Sequence, residues 1–158
     1  MRKGIYFVLM ALIIVLLGVL SINLYQKNVE AKSAILKKEL LIFQNHISGT
    51  VRAVDSKNNV LMKDTLLRLN TFETFHSKYI DTKPQLVLSS YEQGLRYLLT
   101  TKTSNYNEIK NNLDIIFQTV TSYDDEILDQ EQFEKIIDEL LPQVEEFRDK
   151  AKTLSEEG

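Results

Sequence analysis

Four side chains in this sequence have the types that hold an anionic or aromatic ligand: Arg68, His76, Tyr79 and Arg96. Guanidinium groups bind carboxylate or phosphate in a fork, an imidazole changes charge near neutral pH, and a phenol offers both a donor and an acceptor. His76 and Tyr79 fall in the stretch FETFHSKYIDTKP, residues 72–84, with Arg68 one helical face away. Together they would line the lower part of a pocket between helices. Gly94 interrupts the helix that carries Tyr91 and Arg96, at a cost of about 1 kcal/mol relative to alanine. It serves either close helix packing or a gap beside those two residues. Each candidate also has a structural role open to it: His76 and Tyr79 as part of an apolar seam, the arginines as ion-paired or solvent-reaching side chains.

Other chemistry is poorly served. The only histidines are His46 and His76. Folding the chain back at Asn58 sets His46 opposite Asn70, about 9 Å along the axis from His76. Zinc needs nitrogen ligands at about 2 Å, so a joint metal site is not expected. His46-Ile47-Ser48-Gly49 has the histidine of a phosphotransfer bundle but serine where such bundles carry lysine. The acidic run DDEILDQEQFE, residues 124–134, lacks the glycine and ligand order of a calcium loop; helix capping and surface pairing account for it. There is no nucleophile elbow, phosphate loop or zinc signature. We therefore expect no catalytic residues, no metal and no cofactor. The acidic balance, 22 Asp and Glu against 19 Lys and Arg, argues against a nucleic-acid partner. With no cysteine, disulfides and thiol chemistry are excluded.

The elements that must position these residues follow from the apolar pattern. Ile5 to Tyr25 contains no charge and is long enough to cross one hydrocarbon core as a helix. No convincing cleavage site follows it, and Leu9 stands where a pilin carries glutamate. We read residues 1–25 as an uncleaved signal anchor and residues 26–158 as a separate domain. Lys27, Lys32, Lys37 and Lys38 after the span favour a cytoplasmic domain by charge bias. The short basic start with Arg2 and Lys3 is that of an ordinary signal anchor, and on that ground the expected topology is N-terminus in, C-terminus out, at the cell membrane.

Beyond the span everything reads as helix, with apolar residues at steps of three and four. Leu36, Leu40, Phe43, Ile47, Val51 and Val54 form one seam, so the anchor helix is expected to continue to about Asp55. Residues 56–59 read as a turn. Met62, Leu66, Leu69, Phe72, His76 and Ile80 make a second seam. Thr82 with Gln85 has a capping-box pattern, with Pro84 in the first turn. Leu88, Tyr91, Leu95 and Leu98 make a third. Tyr106, Ile109, Leu113, Ile116, Val120, Tyr123 and Ile127 make a fourth. Phe133, Ile137, Leu140, Val144, Phe147, Ala151 and Leu154 make a fifth, capped by Asp129 and Gln132 and expected to kink at Pro142. The fold class is all-α: an N-terminal transmembrane helix continuing into an up-and-down antiparallel bundle of four to five helices. Residues 26–103 carry 12 basic and 7 acidic side chains, and residues 104–158 carry 5 and 15. The two halves are thus suited to pack on one another.

A basic start, one span and a continuous helix into a bundle resembles the extracytoplasmic sensor modules of bacterial receptors, with chemoreceptor-type four-helix bundles as the broad comparison. Residues 58–98 are also similar to the double all-helical ligand-binding domains of some sensor kinases. Those carry a Leu-Arg-rich helix ending near a Tyr-Asp pair; here the matching residues are Leu66-Leu67-Arg68 and Tyr79-Ile80-Asp81, with Ile80 inserted in the pair. The resemblance implies a ligand-binding sensor bundle paired with a second span and a signalling domain; neither follows residue 25 in this sequence. The expected function is non-catalytic: a sensor-like or adaptor bundle that binds a partner protein at the cell envelope. A structural subunit of a larger envelope assembly and a small-molecule-binding module are the alternatives. Homo-oligomerisation is an open form of the partner.

Overall fold

A computed structural model describes residues 2–75, 82–101, 106–123 and 128–157, with side chains described at 10, 12–69 and in the three later segments. They form five helices: α1 (Arg2–Asp55), α2 (Asn59–Phe75), α3 (Lys83–Thr100), α4 (Asn107–Thr121) and α5 (Gln130–Glu156). No strand occurs among the described residues.

α1 is one uninterrupted helix of 54 residues, about 80 Å long at 1.5 Å per residue. Its N-terminal part is long and apolar enough to span a membrane. Every large apolar side chain from Met10 to Tyr25 that the structure describes is more than half exposed within the protein, as a lipid-facing segment requires. Residues 26–32 form a bare stalk in which only Val29 is half-buried. Burial begins at Ser33.

The turn after α1 is tight. Lys57 adopts a left-handed backbone, φ 50°, and the chain closes through Asn58 N–H to Ala53 C=O at 3.0 Å. Asn58 then caps α2, its Oδ1 accepting from Val60 N at 2.9 Å. α3 starts at Thr82 with proline in its first turn, but Thr82 makes no side-chain cap bond. The expected capping box with Gln85 is thus not formed; residue types alone do not fix the rotamer that such a bond needs. At α5 the box is complete: Gln132 N donates to Asp129 Oδ1 at 2.8 Å and Asp129 N donates to Gln132 Oε1 at 3.0 Å. α5 runs through Pro142 without a break.

Cross-links between helices set their directions. Lys110 on α4 bonds Asp55 at the far end of α1, and Leu128 N donates to Ser33 Oγ at 2.8 Å near the other end. Thr119 bonds Gln143 and Lys150 bonds Asn112, so α4 and α5 are antiparallel. Lys83 pairs with Asp138 and Tyr91 stacks on Phe147, so α3 and α5 are parallel. Consecutive helices alternate in direction. α1 packs beside α2 and α4, α5 beside α3 and α4, and α2 beside α3, giving the ring order α1-α2-α3-α5-α4. The α3–α5 pairing is the most extensive.

The core is the set of seams read from the sequence. Ile47, Leu69, Leu95, Leu98, Ile109, Leu113, Ile116 and Leu140 are fully enclosed; each such side chain contributes about 1.5–3 kcal/mol of burial. In α3 the seam is shifted by one position: Val87 is buried and Leu88 only half-buried. Ile136, outside the expected seam, is fully buried because α5 packs against both α3 and α4.

Candidate functional site

Of the four ligand candidates, two have defined places. Arg68 projects from α2, its side chain 71% exposed, and its Nε donates to Asp64 Oδ2 at 2.9 Å. Arg96 projects from α3, its Nε donating to Glu92 Oε1 at 2.8 Å. Both sit in i,i+4 pairs on their own helices, contacts worth about 0.3–0.5 kcal/mol at a surface. His76 and Tyr79 lie outside the described residues. So do Ile80 and Asp81 of the sensor-like pattern, and residues 124–127 of the acidic run.

The mirror relation through the first turn is seen in the contacts. A Cβ on Gly49 would lie 3.2 Å from Thr65 Oγ1, and Arg68 faces His46 closely enough to affect its titration. His46 is 8% exposed. Burial holds its pKa below the usual 6.5, and the Arg68 charge lowers it further. An imidazole so enclosed, and kept neutral, is a poor acceptor for an incoming phosphoryl group.

The space beside Gly94 is filled. Phe147 occupies it, and a Cβ at Gly94 would approach Phe147 Cε1 to 2.3 Å. Phe147 stacks on Tyr91 at 5.3 Å between ring centroids, and Phe43 meets the other side of Tyr91 edge-on at 5.2 Å. This aromatic column joins α1, α3 and α5 at mid-bundle. Tyr91 is fully buried, and its hydroxyl lies 2.6 Å from Thr50 Oγ1. Thr50 donates to the His46 carbonyl at 3.1 Å, so the Tyr91 hydroxyl is the donor of the pair. Burial pushes its pKa well above the usual 10.0. Gly94 therefore serves close packing, and the gap that a glycine there allows is absent.

Among the described residues, every fully buried side-chain nitrogen or oxygen has a hydrogen-bond partner. No group of three His, Cys, Asp or Glu residues has the arrangement of a metal site.

One concavity with ligand-like dimensions opens at the membrane-proximal end of the bundle. It has a volume of about 280 Å³ and is lined by Leu36, Phe133, Ile137 and Pro84, with Lys83, Glu134, Gln130 and Thr82 on its polar edge. Leu36 lies eleven residues past Tyr25, about 17 Å beyond the span. Two helix starts, those of α3 and α5, converge here because both helices point away from the membrane. The mixed rim charge, with Lys83 held by Asp138, suits a largely apolar group with a polar edge. Neither Arg68 nor Arg96 lines it. Sequence reasoning missed this cleft, although two capped helix starts expected at the same height were a usable signal.

Comparison with protein-family models, with curated proteins and with solved structures finds no match to this chain.

Proposed function

We propose that this chain is a non-catalytic, membrane-anchored helical bundle that binds a partner protein at the cell envelope. Ile5 to Tyr25 is its anchor, residues 26–158 are its binding domain, and the bundle stands outside the cytoplasm. The observation that carries the reading is α1. A single helix leaves the apolar segment, crosses a bare stalk and becomes a core element of the bundle. The bundle is thereby held at a fixed height with its outer helix faces exposed. In the described residues the buried polar groups are spent on internal bonds, which supports binding rather than turnover. The sensor-like pattern of Leu66-Leu67-Arg68 is consistent with this role.

Crosslinking of the full chain in its native membranes tests the proposal. One stoichiometric protein partner is expected, either another protein or a second copy. Recovery of monomer alone would count against it. The cleft near Leu36 supports a second reading, a small-molecule module for a mainly apolar compound. Thermal-shift screening of the full chain in detergent separates the two, because a stabilising compound that Phe133→Ala weakens is expected only in the second case.

A further inference from the structure

The outward faces of α1 and α5 are charged oppositely and aligned in height. With 100° per residue, the line opposite the buried seam of α1 carries Lys27, Lys38, Leu41, Asn45 and Arg52, all exposed. It has basic groups and no acid. The equivalent line on α5 carries Glu131, Asp138, Pro142, Glu145, Asp149 and Glu156, again all exposed. It has five carboxylates and no base.

Two contacts fix the relative heights. Leu36 and Phe133 line one cleft. At the other end Lys110 bonds Asp55 while Lys150 bonds Asn112, which sets residue 152 of α5 level with Asp55. Both ends give the same offset. Asn45 lies nine residues past Leu36 and Pro142 nine past Phe133, so the two are level. By the same count Arg52 is level with Asp149 and Leu41 with Asp138, and Lys38 lies one turn below Asp138.

These observations matter because copies in one membrane share an anchor depth. α1 is unbroken from the apolar span to Asp55, so equal depth makes residues of equal height meet. We propose that the partner is a second copy of this chain, docked side by side with its α5 acid face on the basic outer face of α1. This rests on the anchored-bundle reading and gives its partner an identity. α1 and α5 are not neighbours through any large contact, and α4 separates them on one side. Their outer faces point in different directions. The contact is therefore heterologous: each copy offers a different face to each neighbour, and the product is a ring or a row in the membrane plane. Confinement to a membrane raises the effective concentration enough for weak charge pairs to select the arrangement.

The chain has no cysteine, which makes the test direct. Asn45→Cys and Pro142→Cys variants of the full chain are purified and reconstituted in liposomes, alone and mixed, then treated with a short bismaleimide. A crosslinked dimer is expected from the mixture and not from either variant alone. Crosslinking of the Asn45→Cys variant alone would show a symmetric α1 contact and overturn the proposal. So would monomer in every combination. Recovery of a different protein from native membranes, with monomer in liposomes, would overturn this inference and leave the partner-binding reading standing.

Charge reversal gives an independent arm in the Cys background. Asp138→Lys with Asp149→Lys is expected to reduce the mixed crosslink about tenfold. Adding Lys38→Glu with Arg52→Glu to the same chain restores it, because both faces are then inverted. Loss without rescue, with helicity unchanged by circular dichroism, would overturn the electrostatic match.

Discussion

At the scale of single residues, Gly94 and Tyr91 decide how the middle of the bundle closes. Gly94→Ala places a methyl group inside the Phe147 ring, which the stacked Tyr91 prevents from retreating. A loss of about 1–3 kcal/mol is expected, read from thermal or urea unfolding of the full chain in detergent. Phe147→Leu in the same chain should recover part of it, and a strictly additive double variant would contradict the packing account. Tyr91 acts through protonation. Its folded-state pKa lies above its unfolded value near 10.0, so its contribution is complete below pH 10 and is lost as pH rises, when the unfolded phenol ionises and the buried one does not. Tyr91→Phe is expected to flatten the fall in stability above pH 10, at a cost of about 1 kcal/mol at neutral pH from the lost bond to Thr50. An unchanged alkaline slope would contradict this. His46 has the opposite sense: its lowered pKa makes it a source of instability below about pH 6.5, where the unfolded imidazole takes up a proton that the buried one resists.

At the scale of elements, helix ends divide into those that sequence announces and those that it does not. Asp129 and Gln132 form both bonds of their box. Asp129→Ala is expected to cost about 1 kcal/mol and to fray the start of α5, visible as faster amide exchange at residues 130–133. Fraying confined elsewhere would refute it. Thr82 and Gln85 have the same pattern without the bond. The seams of α1, α2, α4 and α5 were legible because a 3.6-residue period marks the buried face whatever it packs against. The shift from Leu88 to Val87 was not legible, since it depends on where α3 sits between α2 and α5. The cleft was hidden for the same reason. Pro84 and Gln130 meet only because α3 and α5 run parallel, and parallel neighbours are not consecutive in the chain. Phe147 beside Gly94 is a further case: both residues stood out, on different helices, and only the fold joins them.

At the scale of the whole molecule, charge and direction follow from one another. The acidic C-terminal half is not spread evenly but lines the outside of α5, while its inner face is apolar. That is why the halves do not simply neutralise each other. Only single links such as Lys83–Asp138 and Lys110–Asp55 tie basic and acidic segments within the chain. The continuous α1 has one more consequence, which concerns phase. A helix transmits rotation, so the bearing of the bundle in the membrane plane is locked to the lipid-facing side of the span. Each residue inserted into the bare stalk at 26–32 would swing the whole bundle by about 100° and lift it about 1.5 Å, and a two-residue insertion would turn its basic face to nearly the opposite bearing. The stalk is therefore a gear as much as a spacer: its length in residues, more than its chemistry, sets which way the bundle looks.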